Sequence, residues 1–579
     1  MWLLGATVIL LGVVAYGLWS ARATRSDLMA ARGSGDRLQR AVTAQDSVQA
    51  RTALKSLQSQ LSDAHGRTDG LLWGAGTHLP WVGDDVRAVR EVAAVGDDLS
   101  QGTLAELVAE SGDGIRERLV PRNGRIDIET VESIAPVVSR AHLNLRDAVN
   151  RLRGADSDSL TRWVRPSYDA LLGKVSDTNV ALSAADRAVK VLPTLLGKDG
   201  PRTYLVLFDN NAEIRATGGL PGAFAVIEAD EGRLRLVRQG TPTDIGKFAT
   251  PVLPQSEAER AIYDGQIAEY FQDTNFTPEF PRTAELVREM WQRTQRQELD
   301  GVLSLDTVTL SYLLRATGPI DAPGGVRLTS ANASSELLNK VYFRIPDGKQ
   351  QNEFFRQVAA EVFDRVISGV KSTTELVTAL GQGAREGRLY VHDFDSTVQT
   401  TLSGSAVAGE LTSDVADTPQ VGVYLNDATG SKMSYYLRSE VRLKAESCAA
   451  GEQQLEGIAD LSYTDDSPPV AELNKFITGP GSFGTPKGEQ LVLLRIYGPD
   501  GGELTNFRVA GEPTPLDTID DRDRPVATTV VQLRRGETVR VSWRVRSGAG
   551  QDRAARLRVT PGMESKDAVT RVPSMCGAR

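Results

Sequence analysis

Apolar residues recur at helical spacing through the first third of the chain. In one such stretch Leu54, Leu57 and Leu61 lie three and four positions apart, the spacing that places side chains on one face of a helix. The stretches with this period are 36–64, 86–99, 126–152 and 160–192. Successive amphipathic helices bury their apolar faces against one another. We therefore predict a helical stalk or bundle over residues 22–197.

The stretch ahead of this region is apolar and uncharged from Trp2 to Trp19. About 18 residues suffice to span a bilayer as a helix, and the aromatic residues near both ends suit the interfaces. A cleaved signal peptide is the alternative, although a basic start and a small-x-small cleavage site are missing. We predict a transmembrane anchor over residues 1–21.

Arginines follow this stretch at Arg22, Arg25 and Arg32, which under the positive-inside rule would place the body of the protein in the cytoplasm. We expect instead that a basic segment precedes Met1 in the full protein. On that expectation the main body is extracytoplasmic and the protein is a single-pass protein of the cytoplasmic membrane.

The hydrophobic pattern changes after the turn residues Gly197–Pro201. Short apolar runs typical of strands alternate with longer stretches of helical period. The predicted strands are 203–208, 223–230, 233–239 and 301–306, and the predicted helices are 282–296, 307–316, 331–342 and 350–370. This alternation predicts an α/β layered domain over residues 198–395.

Beyond that point the chain is rich in strand patterns separated by Gly, Pro and Asp. Val539, Val541 and Val545 alternate with Arg540 and Arg544, as expected for a half-buried strand. We predict an antiparallel β-sandwich over residues 396–579. The fold class is thus multidomain α+β, and the length of 579 residues agrees with several domains.

Charge and cysteine content narrow the function and the compartment. A net charge of −9 argues against a nucleic-acid partner, because a general positive field is absent. The two cysteines, Cys448 and Cys576, fall in the same predicted domain. One pair in one domain favours a disulfide in an oxidising compartment, while two buried free thiols remain the alternative.

A polar loop between two predicted strands carries the most distinctive motif, NNAEIRATGGLPGAF at 210–224. Taken alone it is a strand connection in which Arg215 pairs with Glu213. Together with DGVLSLDTVTLSYLLRATGPIDAPGG at 300–325, it resembles the domain of unknown function 4012 family of bacterial envelope proteins. That family name implies a cell-envelope setting and no particular activity.

In the α/β region, arginines and carboxylates are the candidate side chains for binding a ligand. Arginine forks match phosphate oxygens, and aspartates beside them suit Mg²⁺. Their order is distantly similar to the LytR-CpsA-Psr enzymes, which transfer glycopolymers from a polyprenyl-pyrophosphate carrier to the cell wall. The resemblance implies a ligand site at Arg215, Asp244, Arg344, Asp347, Arg356 and Gln357, with Asp244 and Asp347 as Mg²⁺ ligands.

These residues keep only part of the enzyme pattern, because Thr243 replaces the arginine expected before Asp244. We therefore expect binding or transfer of a polyprenyl-pyrophosphate-linked envelope glycopolymer at the membrane. The alternatives are a non-enzymatic scaffold that contacts envelope assembly proteins, and a peptide- or glycan-binding protein that uses the sandwich alone. His392, beside Asp393 and Asp395, is interpreted as a residue of a surface turn.

Overall fold

A computed structural model of the chain describes residues 2–44, 46–110, 118–119, 121–411, 416–481 and 483–576, and the side chains of all of these except residues 2–19, 43 and 158. The chain divides into two compact units. The first takes the chain up to Leu119 and then Asp127–Pro193, and the second takes Val120–Ile126 and the chain from Thr194 onward.

The first unit is helical in the residues described. Its helices are α1 (Trp2–Thr43), α2 (Ser47–Thr68), α3 (Leu71–Gly76), α4 (Gly83–Gln101), α5 (Thr103–Glu110), α6 (Ile128–Arg153) and α7 (Arg165–Leu195). Asp46 and Asp127 cap the first backbone N–H groups of α2 and α6. Leu38 of α1 packs with Leu54 and Leu57 of α2 in one buried cluster, as the sequence period predicts.

The predicted anchor lies in the first half of α1, on residues whose side chains fall almost entirely outside the described part. Within the part of the chain that the structure describes, we find no helix whose length and apolar content would let it cross a membrane. The transmembrane anchor over residues 1–21 therefore has no support from the structure.

The second unit begins with a mixed five-stranded sheet, whose strands are β1 (Arg202–Asn210), β2 (Leu220–Asp230), β3 (Arg233–Gly240), β4 (Gly301–Asp306) and β7 (Leu389–Asp393). Their order in the sheet is β3-β2-β1-β4-β7. The central strand β1 pairs antiparallel with β2 and parallel with β4. Residues of β1 and β2 pack against Phe271 and Trp291 in a buried core. The strands β5 (Ile320–Ala322) and β6 (Val326–Leu328) form a separate small hairpin.

Helices lie between and after these strands along the chain. They are α8 (Glu257–Tyr263), α9 (Gln266–Glu269), α10 (Phe280–Gln295), α11 (Thr307–Thr317), α12 (Ala333–Ser335), α13 (Val341–Arg344), α14 (Gly348–Ser368), α15 (Thr373–Arg385) and α16 (Ser396–Leu402). A π-helical turn, Glu336–Lys340, interrupts the single helix that the sequence predicts over 331–342. The predicted strands correspond to β1–β4, whereas β7 and α15 were not predicted.

The chain from Gln420 onward is β-rich, with one short helix, α17 (Lys475–Thr478). Its strands are β8 (Gln420–Asp427), β9 (Leu437–Ala449), β10 (Glu452–Tyr463), β11 (Gln490–Tyr497), β12 (Glu503–Val509), β13 (Glu512–Pro513), β14 (Thr518–Asp521), β15 (Arg524–Leu533), β16 (Thr538–Arg546), β17 (Ala555–Val559) and β18 (Val569–Val572). They form two sheets, one of order β13-β12-β16-β10-β9 and the other of order β14-β15-β11-β8-β17-β18.

Side chains from both sheets, such as Val423 and Val541, belong to one hydrophobic cluster. Ile214 and Leu310 of the preceding α/β part lie in the same cluster. The α/β part and the β-rich part therefore share a core within the second unit. The chain as a whole is a mixed α+β protein with several sheets and a C-terminal β-rich region.

A disulfide joins Cys448 of β9 to Cys576, with 5.0 Å between the Cα atoms. The pairing predicted from the sequence is confirmed, and the alternative of two free thiols is wrong. The bond closes a loop over a sequence separation of 128 residues.

Candidate functional site

Two aspartates meet where the parallel strands β1 and β4 end. The register of these strands places Asp209 directly opposite Asp306. Because parallel strands run in the same direction, their carboxyl ends open at one edge, the place where sheets of this kind receive ligands.

Asp209 is buried, with 3% of its surface exposed. Its Oδ2 accepts a hydrogen bond from Ser304 Oγ at 2.5 Å, while its buried Oδ1 has no partner among the residues that the structure describes. Burial raises the pKa of Asp209 well above its ordinary value, and the nearby charge of Asp306 adds to this against the hydrogen bond from Ser304. The raised pKa widens the pH range over which Asp209 is protonated, and a protonated carboxyl can donate as well as accept a hydrogen bond.

Asp306 is committed to bonds within the protein. Its Oδ1 accepts from the backbone N–H of Thr309 at 2.7 Å and so caps α11. Its Oδ2 accepts from Asn211 Nδ2 and from Arg388 Nη1, each at 2.7 Å. Arg388 is itself buried and also donates to Glu386 at 2.7 Å. Asp306 therefore fixes the position of its neighbours and has little bonding capacity left for a ligand.

A second charged pair is formed by Glu213 and Lys432, whose Nζ and Oε1 atoms lie 2.5 Å apart. The ammonium also lies 5.1 Å from the centre of the Tyr342 ring. Burial lowers the pKa of Lys432, but the charge of Glu213 and the neighbouring Tyr342 side chain outweigh this effect, and the pKa is raised overall. Lys432 is thus held in its charged form.

A cavity of about 220 Å³ lies among these residues. Its polar lining is formed by Asp209, Asn210, Glu213, Asp306, Thr307, Gln351, Asn352 and Lys432. Its apolar lining includes Phe208, Leu220, Ala223, Pro242, Leu305, Leu310, Leu337, Leu338, Phe355, Val358 and Ala359. A lining that combines an apolar wall with polar groups suits a small amphipathic ligand.

The loop that carries the distinctive motif, residues 211–219, is bound on several sides. The backbone N–H of Ala216 donates to Asn426 Oδ1 at 3.0 Å, and its carbonyl accepts from Thr560 Oγ1 at 3.0 Å. Asn275 Nδ2 donates to the carbonyl of Gly219 at 2.6 Å. A Cβ at Gly219 would lie 2.4 Å from the carbonyl carbon of Asn210, so only glycine fits there. The motif therefore joins the α/β part to the β-rich part.

Arg215 is the member of the predicted site that lies in this loop, and it is buried. Its Nη2 donates to Asp273 Oδ1 at 3.2 Å and its Nη1 donates to the carbonyls of Ile214 and Asp427. The guanidinium lies 4.4 Å from the centre of the Phe276 ring. The expected pairing of Arg215 with Glu213 is wrong, because each of these residues pairs with a different partner.

The other predicted site residues lie at the surface. Asp244 accepts from the backbone N–H of Thr241, and Asp347 caps α14 through Gln350. Arg344 forms an ion pair with Glu336. Arg356 and Gln357 both donate to Glu353 one turn earlier on α14. Among the described residues that line the cavity, none belongs to the predicted set of six. Their role in ligand binding stays a prediction.

Metal binding and His392 were two further expectations. Within the described ranges, no group of three or more His, Cys, Asp or Glu side chains is placed to hold a metal ion, so Mg²⁺ stays a prediction. The interpretation of His392 as a surface residue is wrong. It pairs with Val302 inside the sheet and is buried, and this burial lowers its pKa to about 4.

Sequence reasoning missed Asp209, Asp306, Arg388 and Lys432. A signal existed for the two aspartates, since each directly follows the apolar run of a strand. Arg388 and Lys432 carried no such signal, because they reach the site from distant parts of the chain. Only the folded chain brings these four residues close together.

Comparison with known proteins bears on the same region. Residues 199–342 match the DUF4012 family model. The family is described as "Protein of unknown function (DUF4012)", and the match confirms the resemblance carried by the two motifs. The DUF4012 segment contributes Asp209, Glu213 and Asp306, whereas Arg388 and Lys432 lie beyond it.

Other comparisons add little. No curated protein matches the sequence. A crystal structure of the transcriptional regulator yvhJ from Bacillus subtilis is similar at 13% identity, over 35% of this chain and 77% of that chain, with a TM-score of 0.21. A TM-score this low carries no argument about fold or function.

Proposed function

We propose that the second unit binds an amphipathic lipid in the cavity at the carboxyl ends of β1 and β4, and does so without turning it over. The observation that carries this proposal is the lining of the cavity, which combines an apolar wall with the buried carboxyl of Asp209 and the Glu213–Lys432 pair. The ligand class follows from the distant similarity to LytR-CpsA-Psr proteins, namely a polyprenyl-pyrophosphate-linked envelope glycopolymer.

Binding is favoured over transfer by what the predicted arginines do. Arg215 pairs with Asp273, Arg344 with Glu336 and Arg356 with Glu353. Lys432 is the one basic residue among the described residues of the cavity lining. A pyrophosphate would meet a single cation already shared with Glu213, too little charge to stabilise a departing phosphate group. The disulfide supports an extracytoplasmic location, since such bonds persist in oxidising compartments.

The test uses the full-length protein and a fluorescent farnesyl phosphate as probe. Ala359→Trp fills the cavity from α14, and Ala360→Trp, at an equally half-buried neighbour outside the lining, is the matched control. We expect Ala359→Trp to weaken probe binding about tenfold or more and Ala360→Trp to leave it unchanged. Lipid extraction and mass spectrometry of the purified protein should also detect a prenyl lipid.

A non-enzymatic scaffold is the second candidate. It is favoured by Arg215 and Ala216 of the motif loop, which join two parts of the protein, whereas Glu213 of the same loop lines the cavity. Failure of the wild-type protein to bind the probe, together with absence of extracted lipid, would refute the lipid proposal and leave the scaffold.

A further inference from the structure

An exposed apolar surface lies in the first unit, on α3 and the turn that follows it. Leu71 is 95% exposed and Trp81 is 92% exposed. With Leu72, Leu79 and Val82, also exposed, they form what we call the 71–82 patch. The stretch between Gly70 and Gly83 contains no Asp, Glu, Lys or Arg. Exposed apolar side chains gathered on one short segment mark a surface for a partner or a membrane.

The backbone holds this segment in a defined shape. The N–H of Leu79 donates to the carbonyl of Gly76 at 3.1 Å, and the N–H of Gly83 donates to the carbonyl of Leu79 at 3.0 Å. Trp81 has a φ of 67°, a left-handed conformation that costs free energy for a residue other than glycine. A Cβ at Gly83 would lie 2.5 Å from the carbonyl oxygen of Thr77. The turn is therefore closed tightly while its largest side chain points into solvent.

The position of the patch shows what could cover it. Trp73 Nε1 donates to Ser20 Oγ at 2.9 Å, and Ser20 is buried. Ser20 directly follows the uncharged apolar run of residues 2–19. The segment that carries the patch thus contacts the residue that directly follows that run.

Charges beside the patch do not favour a charged partner. Arg87 pairs with Asp84 at 2.7 Å, and Arg90 pairs with Asp69 at 3.4 Å. These pairs leave a nearly neutral rim around Leu and Trp side chains. Leu with Trp is the composition that enters the interfacial layer of a bilayer, where the indole ring contacts both acyl chains and headgroups.

We propose that the 71–82 patch inserts into the interfacial layer of a lipid bilayer, next to the end of the apolar run 2–19. The patch then orients the first unit against the membrane surface. This proposal is independent of ligand binding in the cavity of the second unit.

The test must report on the patch itself, because residues 2–19 alone could bring the chain to vesicles. In the full-length protein, Leu79→Cys is labelled with an environment-sensitive fluorophore, and Trp163→Cys, an exposed site of the same unit outside the patch, is the control. With phosphatidylcholine vesicles we expect a blue shift at position 79 and quenching by brominated acyl chains, and neither effect at position 163. A label at position 79 that stays in water would overturn the proposal.

A second measurement follows the label at position 79 with the same vesicles. In the labelled Leu79→Cys protein, the double variant Leu71→Asp, Trp81→Asp should abolish the blue shift, whereas Trp163→Asp should leave it unchanged. Circular dichroism checks that both variants fold. An unchanged blue shift in the double variant contradicts the proposal. So does a dimer of the wild type that light scattering shows to be dissociated by the double variant, since the patch would then join two copies of the chain.

Discussion

Replacement of Arg388 by methionine tests whether this one residue stabilises the buried carboxylates beside the cavity. The Arg388 guanidinium donates to Glu386, to Asp306 and to the carbonyls of Gly562 and Glu564, all at 2.6–2.7 Å. Its side chain is fully buried, and those of Asp306 and Glu386 are 1% and 3% exposed. Arg388→Met keeps much of the volume but leaves two buried carboxylates without their cation. Such a loss costs about 3–5 kcal/mol.

The matched control is Arg385→Met, three residues earlier. Arg385 is 61% exposed and lies 3.9 Å from Asp567, so its loss should cost about 0–1 kcal/mol. Urea unfolding followed by tryptophan fluorescence measures both variants. Adding Asp306→Asn to Arg388→Met removes one of the two stranded carboxylates and should restore part of the stability. Equal unfolding midpoints for Arg388→Met and Arg385→Met would refute the reasoning.

Three other predictions concern the disulfide, Asp209 and Arg215. Replacing both Cys448 and Cys576 by serine should cost up to about 5 kcal/mol in the chain-entropy model for a loop of this length, and thiol labelling of the unfolded, non-reduced wild type should find no free thiol. The pKa of Asp209 is raised in the folded state, so its contribution to stability is complete below the unfolded pKa of about 3.9 and is lost as the pH rises. The melting temperature of Asp209→Asn should therefore rise relative to that of the wild type between pH 4 and 7. A difference in melting temperature that does not change with pH would contradict this prediction. Arg215→Ala should lower the unfolding midpoint because it removes a buried guanidinium and leaves the half-buried Asp273 without its cation, while Arg356→Ala, on an exposed helix surface, should leave the midpoint unchanged.

Local patterns predicted much of the fold. The apolar runs at 203–208 and 301–306 predict β1 and β4, because buried strands must be apolar on both faces. The strand β7 was missed because its apolar run is only Leu389–Val391 and is followed by the polar residues His392 and Asp393. Asp393 is tolerated inside because it forms an ion pair with Arg202, a distant residue that no local pattern reveals.

The site was less predictable than the fold. Arginines were chosen because guanidinium groups bind phosphate, yet a guanidinium binds a carboxylate of its own chain equally well. Arg215 shows the difficulty, since its partner Asp273 lies 58 positions away and its other contact, Asp427, 212 positions away. The apolar half of the cavity comes partly from α14, through Phe355, Val358 and Ala359.

The hydroxyl of Thr560 has a consequence for the order of events during synthesis. It donates to the carbonyl of Ala216, 344 positions earlier in the chain, and accepts from the N–H of Leu425. Translation adds about 5–20 residues per second, so Thr560 is synthesised roughly 20–70 s after the motif loop. A fragment limited to residues 199–342 never receives it, and also lacks β7, Arg388 and Lys432. The segment that matches the family model therefore depends on later parts of the chain for one hydrogen bond of its motif loop and for two charged side chains beside the cavity.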